Sequence, residues 1–114
     1  MPIKIITDKI TLLEVKEIAK ATFGDMAKAV VDIEKQIMAI GGEIHADAEQ
    51  LLLENGSRQE NLWGINIYPE NSSAERIQFE SLINIRPAQN NRAMTVQDEK
   101  IRQTIAAVVN KLIT

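Results

Sequence analysis

Leu12, Val15, Ile18, Ala19 and Thr22 recur at the three-to-four-residue spacing of one helical face. The start of that helix is signalled by Thr11 and Glu14 in capping-box register, with Ile10 and Val15 spaced as a hydrophobic staple, and Gly24 offers a stop. The period then drops to two. In "AKAVVDIEKQIMAI", Ala29, Val31 and Ile33 alternate with Lys28, Val30, Asp32 and Glu34, which predicts a strand, a turn near Glu34 to Gln36 and a second strand ending at Gly41 and Gly42. "DAEQLLLENG" reads as a short helix of about two turns, with Asp47 placed to cap and Gly56 after Asn55 to terminate. In "LWGINIY", Trp63, Ile65 and Ile67 alternate with Gly64, Asn66 and Tyr68 up to Pro69. A fourth strand is expected over "RIQFESLINIRP", with Ile77, Phe79, Ser81, Ile83 and Ile85 against Gln78, Glu80, Leu82, Asn84 and Arg86. A last helix carries Ile101, Ile105, Val108, Val109 and Leu112 at helical spacing, preceded by Thr95 or Asp98 as its cap.

This order, α-β-β-α-β-β-α, implies a single α+β domain over residues 1–114, with a four-stranded antiparallel sheet built from two hairpins. The helices are expected mainly on one face, where the first and last would cover Val31, Ile33, Trp63, Ile65, Ile67, Phe79, Ile83 and Ile85. The opposite face is mixed: Val30, Met38, Ile40 and Leu82 fall among Asp32, Glu34, Asn66, Tyr68, Asn84 and Arg86, with only the short middle helix left to cover them.

Composition narrows the function classes. A chain of 114 residues can bury a core without staples, and with no Cys it forms no disulfide and no thiolate metal site. Neither a secretory leader nor a membrane span is visible, so a soluble cytoplasmic protein that does not engage a membrane is expected. The net charge of −3 and scattered carboxylates argue against nucleic acid as a partner. Six Lys lie between Lys4 and Lys35, whereas every cation between Gln36 and Glu99 is Arg. Arg is the side chain suited to planar contacts with carboxylate or phosphate.

The run "AVVDIEKQIMAIGGEIHADAEQLLLENGSRQENLWGINIYPE" followed by "INIRPAQNNR" resembles a family of small bacterial proteins of unknown function, domain-of-unknown-function family 5674. The resemblance covers nearly the whole chain. It implies a compact cytoplasmic domain and brings with it no catalytic residue, and any cofactor stays unknown.

Two constellations could carry chemistry. "EIHADAE" sets Glu43, His45, Asp47 and Glu49 at every second position, which on a strand would gather them on one side for a metal or for acid-base work. A helix beginning at Asp47 breaks that alternation, so the favoured reading is a capping Asp47 and a surface His45 with no metal. The segment Arg86 to Gln97 has two Arg, five amide or hydroxyl side chains and no carboxylate, and it leads into a helix N-terminus that favours anions. The bland reading is a solvated loop and an Arg86 to carboxylate pair. Two functions therefore stand side by side. The first is a homo-oligomerising or partner-binding module that uses the mixed face. The second is a small-molecule or phosphate-ester site, enzymatic or not, formed there by Arg86, Asn84, Asn66, Asp32 and Tyr68, with Arg92 and His45 at its rim.

Overall fold

The computed structural model describes residues 2–114. Its elements in chain order are β1 (Lys4–Ile6), α1 (Leu12–Ala21), β2 (Ala27–Asp32), β3 (Ile37–Ile40), α2 (His45–Glu54), β4 (Leu62–Ile67), β5 (Ile77–Gln78) and α3 (Glu99–Leu112). All strand pairs are antiparallel, in the order β1-β3-β2-β4-β5.

The class expected from the sequence is therefore present, but the sheet has five strands rather than four. The added strand is β1, whose "KII" pairs Ile5 with Ala39 at the edge of β3. Three residues carry too little alternation to register as a strand by pattern alone.

The first hairpin also differs in register. Asp32 pairs with Ile37 across a turn of residues 33–36, so Met38 lies opposite Val31 and Ile40 opposite Ala29. Paired residues share a face, and this moves Met38 and Ile40 from the mixed face to the apolar one. The buried Asp32 carboxylate shapes that turn, accepting from the Glu34 and Lys35 N–H groups at 3.0 and 2.9 Å. Its other oxygen accepts from Ser57 Oγ at 2.6 Å. Gln36 takes the left-handed φ of 58° that closes the turn.

α1 and α3 pack on the apolar face. Val15 and Ile18 from α1 and Ile105, Val108, Val109 and Leu112 from α3 are buried with Val31, Met38, Ile40, Trp63, Ile65 and Ile67. α2 covers the opposite face, where Ala48 and Leu52 meet Val30, Ala39 and Leu62. The Thr11 cap forms as the sequence indicates, accepting from Glu14 N–H at 3.1 Å, and Asp98 caps α3 through the Lys100 and Ile101 N–H groups. Gly24 and Gly56 stop their helices at φ +95° and +96°.

α2 departs from the expected start. It begins at His45 with Ile44 as N-cap, and no side chain caps it. Asp47 lies inside the first turn, its N–H donating to Ile44 O at 3.3 Å, so it is not the capping residue. The helix runs ten residues, longer than the two turns expected.

The fourth predicted strand is overturned most. Only Ile77 and Gln78 pair with β4, and Ser81 then caps a 3₁₀ turn over Leu82–Asn84. The physical reason lies along β4. Ser81 packs against Gly64 so closely that a Cβ there would sit 2.5 Å from the Ser81 Cβ. The Asn84 carboxamide then replaces a strand neighbour: its oxygen accepts from Gly64 N–H at 2.8 Å, and its nitrogen donates to Gly64 O at 2.9 Å. Once a side chain satisfies that stretch of ladder, the main chain is released from it. Consequently Phe79 and Ile83 are only half-buried, and Ile85 is 43% exposed rather than core.

Candidate functional site

The residues proposed from the sequence do not all converge: of the set, His45 and Asn66 come together, while the others are dispersed. Asp32 and Asn66 face the same side of the sheet, but Asp32 pairs with Leu62 while Asn66 pairs with Lys28, four residues away along β2. At about 3.3 Å per residue that separates them by about 13 Å. Asp32 serves its turn, and the buried Asn84 serves Gly64 and, at 3.0 Å, Met94 O. Tyr68 is half-buried and reaches Gln78 Oε1 at 3.5 Å. Arg92 is exposed, its backbone N–H donating to Gln97 Oε1 at 3.0 Å.

Arg86 is occupied within the scaffold. Nε donates to Ile83 O at 3.0 Å, Nη1 to Gln59 O at 2.8 Å, and Nη2 to Leu62 O. Nη2 also pairs with Glu49 at 3.4 Å, both side chains being largely buried. The guanidinium lies 4.8 Å from the centre of the Trp63 ring. Burial pushes the Arg86 pKa down, and Glu49 opposes that shift. A planar fork bonded to three carbonyls, a carboxylate and an aromatic face has its geometry filled by the protein itself.

The amide-rich loop is also turned inward. Asn91 is buried, donating to Asn84 O at 2.7 Å and Ala93 O at 2.9 Å while accepting from Gln97 N–H at 2.8 Å. These amides close the loop on itself.

His45, by contrast, is buried and lines a groove rather than standing at a surface rim. It is buried at the first position of α2, and its Nε2 lies 2.7 Å from Ile65 O. A carbonyl can only accept, so Nε2 carries the proton, and in the neutral ring Nδ1 is a bare acceptor. The ring's pKa is lowered below its ordinary 6.5, chiefly by burial; the Ile65 bond opposes this, nearby Lys28 adds to it, and the Asn66 side chain opposes it.

Beside the ring a half-open groove of about 460 Å³ is lined by Met26, Lys28, Ile44, Asn66, Glu80, Leu82, Ile83 and Met94. Leu82, Ile44 and Met94 are 71%, 52% and 43% exposed around it. Asn66 is buried between β2 and β5, its amide nitrogen donating to Gln78 Oε1 at 2.9 Å and Glu80 O at 3.4 Å. Its Oδ1 is buried without a donor. The alternation along the chain already put Lys28, Glu80 and Leu82 on the sheet face of Asn66, but it brought neither His45 nor Met94 to them. Parity gave Lys28 and Asn66 a common face, whereas their pairing and the approach of Glu80 and Met94 are set by the tertiary structure.

Among the described residues, no three Asp, Glu, His or Cys side chains gather as a metal set. Glu43, His45, Asp47 and Glu49 are dispersed by the turn into α2, where Glu49 pairs with Arg86. No helix is long and apolar enough to cross a membrane.

The molecule is thus an α+β domain with helices on both sides of an antiparallel sheet and an amphipathic groove beside its middle helix. The chain belongs to the family described as protein of unknown function (DUF5674), whose model matches residues 4–112. No curated protein and no solved structure matches it.

Proposed function

We propose that this chain is a binding module whose working surface is the groove between the start of α2, β4 and the segment from Glu80 to Ile83. One observation carries the reading: apolar walls surround buried polar side chains, one of which, Asn66, has an oxygen with no partner. Small-molecule sites commonly have that form, a mainly apolar cleft with a few convergent polar groups. The notion of an anion held at Arg86 has less support, because the guanidinium is already bonded to Ile83, Gln59, Leu62 and Glu49. A fragment screen read by NMR tests the proposal. Hits should perturb Ile44, His45, Leu82 and Met94 together, and Leu82→Asp should abolish them without unfolding the protein. Hits that cluster around Arg86 and Arg92 instead would refute it.

The exposure of Leu82, Ile44 and Met94 also favours a second reading, in which another copy of the chain covers the groove. Sedimentation velocity over a concentration series separates the two. A dimer lost in Leu82→Asp supports self-association, and a strict monomer rejects it.

A further inference from the structure

We propose that the groove recognises a ligand with an apolar body and an N–H-donating head, a primary ammonium or amide, whose hydrogens are received by His45 Nδ1, Asn66 Oδ1 and the Glu80 carboxylate. The inference rests on the groove being a ligand site, and it adds which chemistry fits. The His45 proton is spent on Ile65 O at 2.7 Å, so Nδ1 offers a lone pair. The Asn66 side chain lines the same groove and stands close enough to hydrogen-bond with the ring once the ring is protonated, but it receives no proton from the neutral ring. Its nitrogen is held by Gln78 and Glu80 O, which orients Oδ1, and that oxygen is buried without a donor. Two acceptors on adjacent side chains therefore lack a proton. Of the two, Asn66 Oδ1 is the one buried without a partner; such an acceptor is costly, and a donor entering there removes the cost.

The charged groups around the ring accord with this assignment. Glu80, after β5, lines the groove and is held by Thr95 Oγ1 at 3.3 Å. Lys28, on β2, places its ammonium 5.0 Å from the centre of the Phe23 ring, which gives the cation a partner of its own. On α2 itself, Glu49 is taken by Arg86. The uncapped start of α2 would draw an anion by its dipole, so an anionic head is the competing chemistry. Met26, Ile44, Leu82, Ile83 and Met94 supply a wall for an unbranched apolar tail in either case.

Three probes with one tail decide between the heads: hexylamine, hexanamide and hexanoate. The chain has a single His, so the imidazole nitrogens can be followed without assignment ambiguity. The expected result is binding of the amine or amide at least about fivefold tighter than hexanoate, the worth of one net hydrogen bond. It should be accompanied by a shift of Nδ1 from lone-pair to hydrogen-bonded character. Acid should weaken it, since protonation at Nδ1 supplies the missing donor from the ring itself. Glu80→Gln should weaken the amine more than the amide, and Arg92→Ala should change neither. Hexanoate binding as tightly as the amine, or an Nδ1 signal unmoved while the wall residues respond, overturns the assignment of the head group alone. Silence of every groove residue toward all three probes overturns the ligand-site reading together with it. Asn66→Leu provides a further check where buried Trp63 fluorescence shows that the variant folds, and the pH arm stands independently of that variant.

Discussion

On the side of α1 and α3 the sheet is closed by Val31, Met38, Ile65 and Ile67 against Val15, Ile18, Ile105 and Val109, with no polar side chain needed among them. On the side of α2 the apolar cluster is only Val30, Ala39, Ala48, Leu52 and Leu62, and the remaining surface is closed by the side chains of Asp32, Asn84 and Arg86 bonding to backbone. The difference teaches how each face fails. An apolar face loses stability in proportion to the volume removed, whereas a face closed by hydrogen bonds fails when one partner leaves others unpaired in a dry place.

The comparison can be broken most forcefully at Arg86. Arg86→Ala should lower unfolding free energy by about 3 to 5 kcal/mol, because it strips Glu49, Leu62 O and Gln59 O of a shared donor. Arg86→Lys should not restore it, since one ammonium cannot span those directions. Denaturant unfolding measures both, and a neutral Arg86→Ala would return the residue to ligand duty. Ile65→Ala on the other face should cost about 2 to 5 kcal/mol through lost apolar burial and the cavity left behind, and unlike Arg86 it should tolerate Val.

Asn84→Leu is the next step down. It preserves bulk but leaves Gly64 N–H, Gly64 O and Met94 O unpaired, for an expected loss of about 2 to 4 kcal/mol. Hydrogen exchange should show the Gly64 amide losing protection while Ile65 and Ile67 retain theirs.

The helix starts make a smaller contrast. Thr11→Ala should cost about 1 kcal/mol through the lost Glu14 bond. Asp47→Ala should fall within about 0.5 kcal/mol of the parent, as an exposed residue outside the cap. Paired thermal melts of the two variants test the distinction.

The mildest effect is in pH. His45 has a folded pKa lowered from 6.5, so below that value the unfolded chain binds the proton more readily than the folded one. Stability attributable to His45 is therefore complete above about pH 6.5 and declines as acid is added through that value toward the lower folded pKa. His45→Gln should flatten the decline in this window, and an unchanged pH profile would deny the ring its buried, singly protonated state.

The helices α1 and α3, the cap at Thr11, the stops at Gly24 and Gly56, and the apolar face of β4 were all determined by the sequence alone, while the structure chose Asp98 over Thr95 as the cap of α3. Each rests on spacing or on a bond within a few residues, which held at these positions, whereas the local signals for an Asp47 cap and for a full fourth strand did not. The tertiary structure decided the rest. β1 exists because β3 offers an edge to three residues, and Met38 and Ile40 face α1 and α3 because Asp32 builds a four-residue turn. The fourth strand ends at Gln78 because Ser81 and Asn84, distant in sequence from Gly64, take over its ladder. Its alternation is real in the chain, but an alternating segment becomes a strand only where a neighbour's backbone is free to pair with it. The same substitution brings Glu80, Leu82 and Met94 beside His45 and Asn66, so the groove is a product of contacts that no local pattern records.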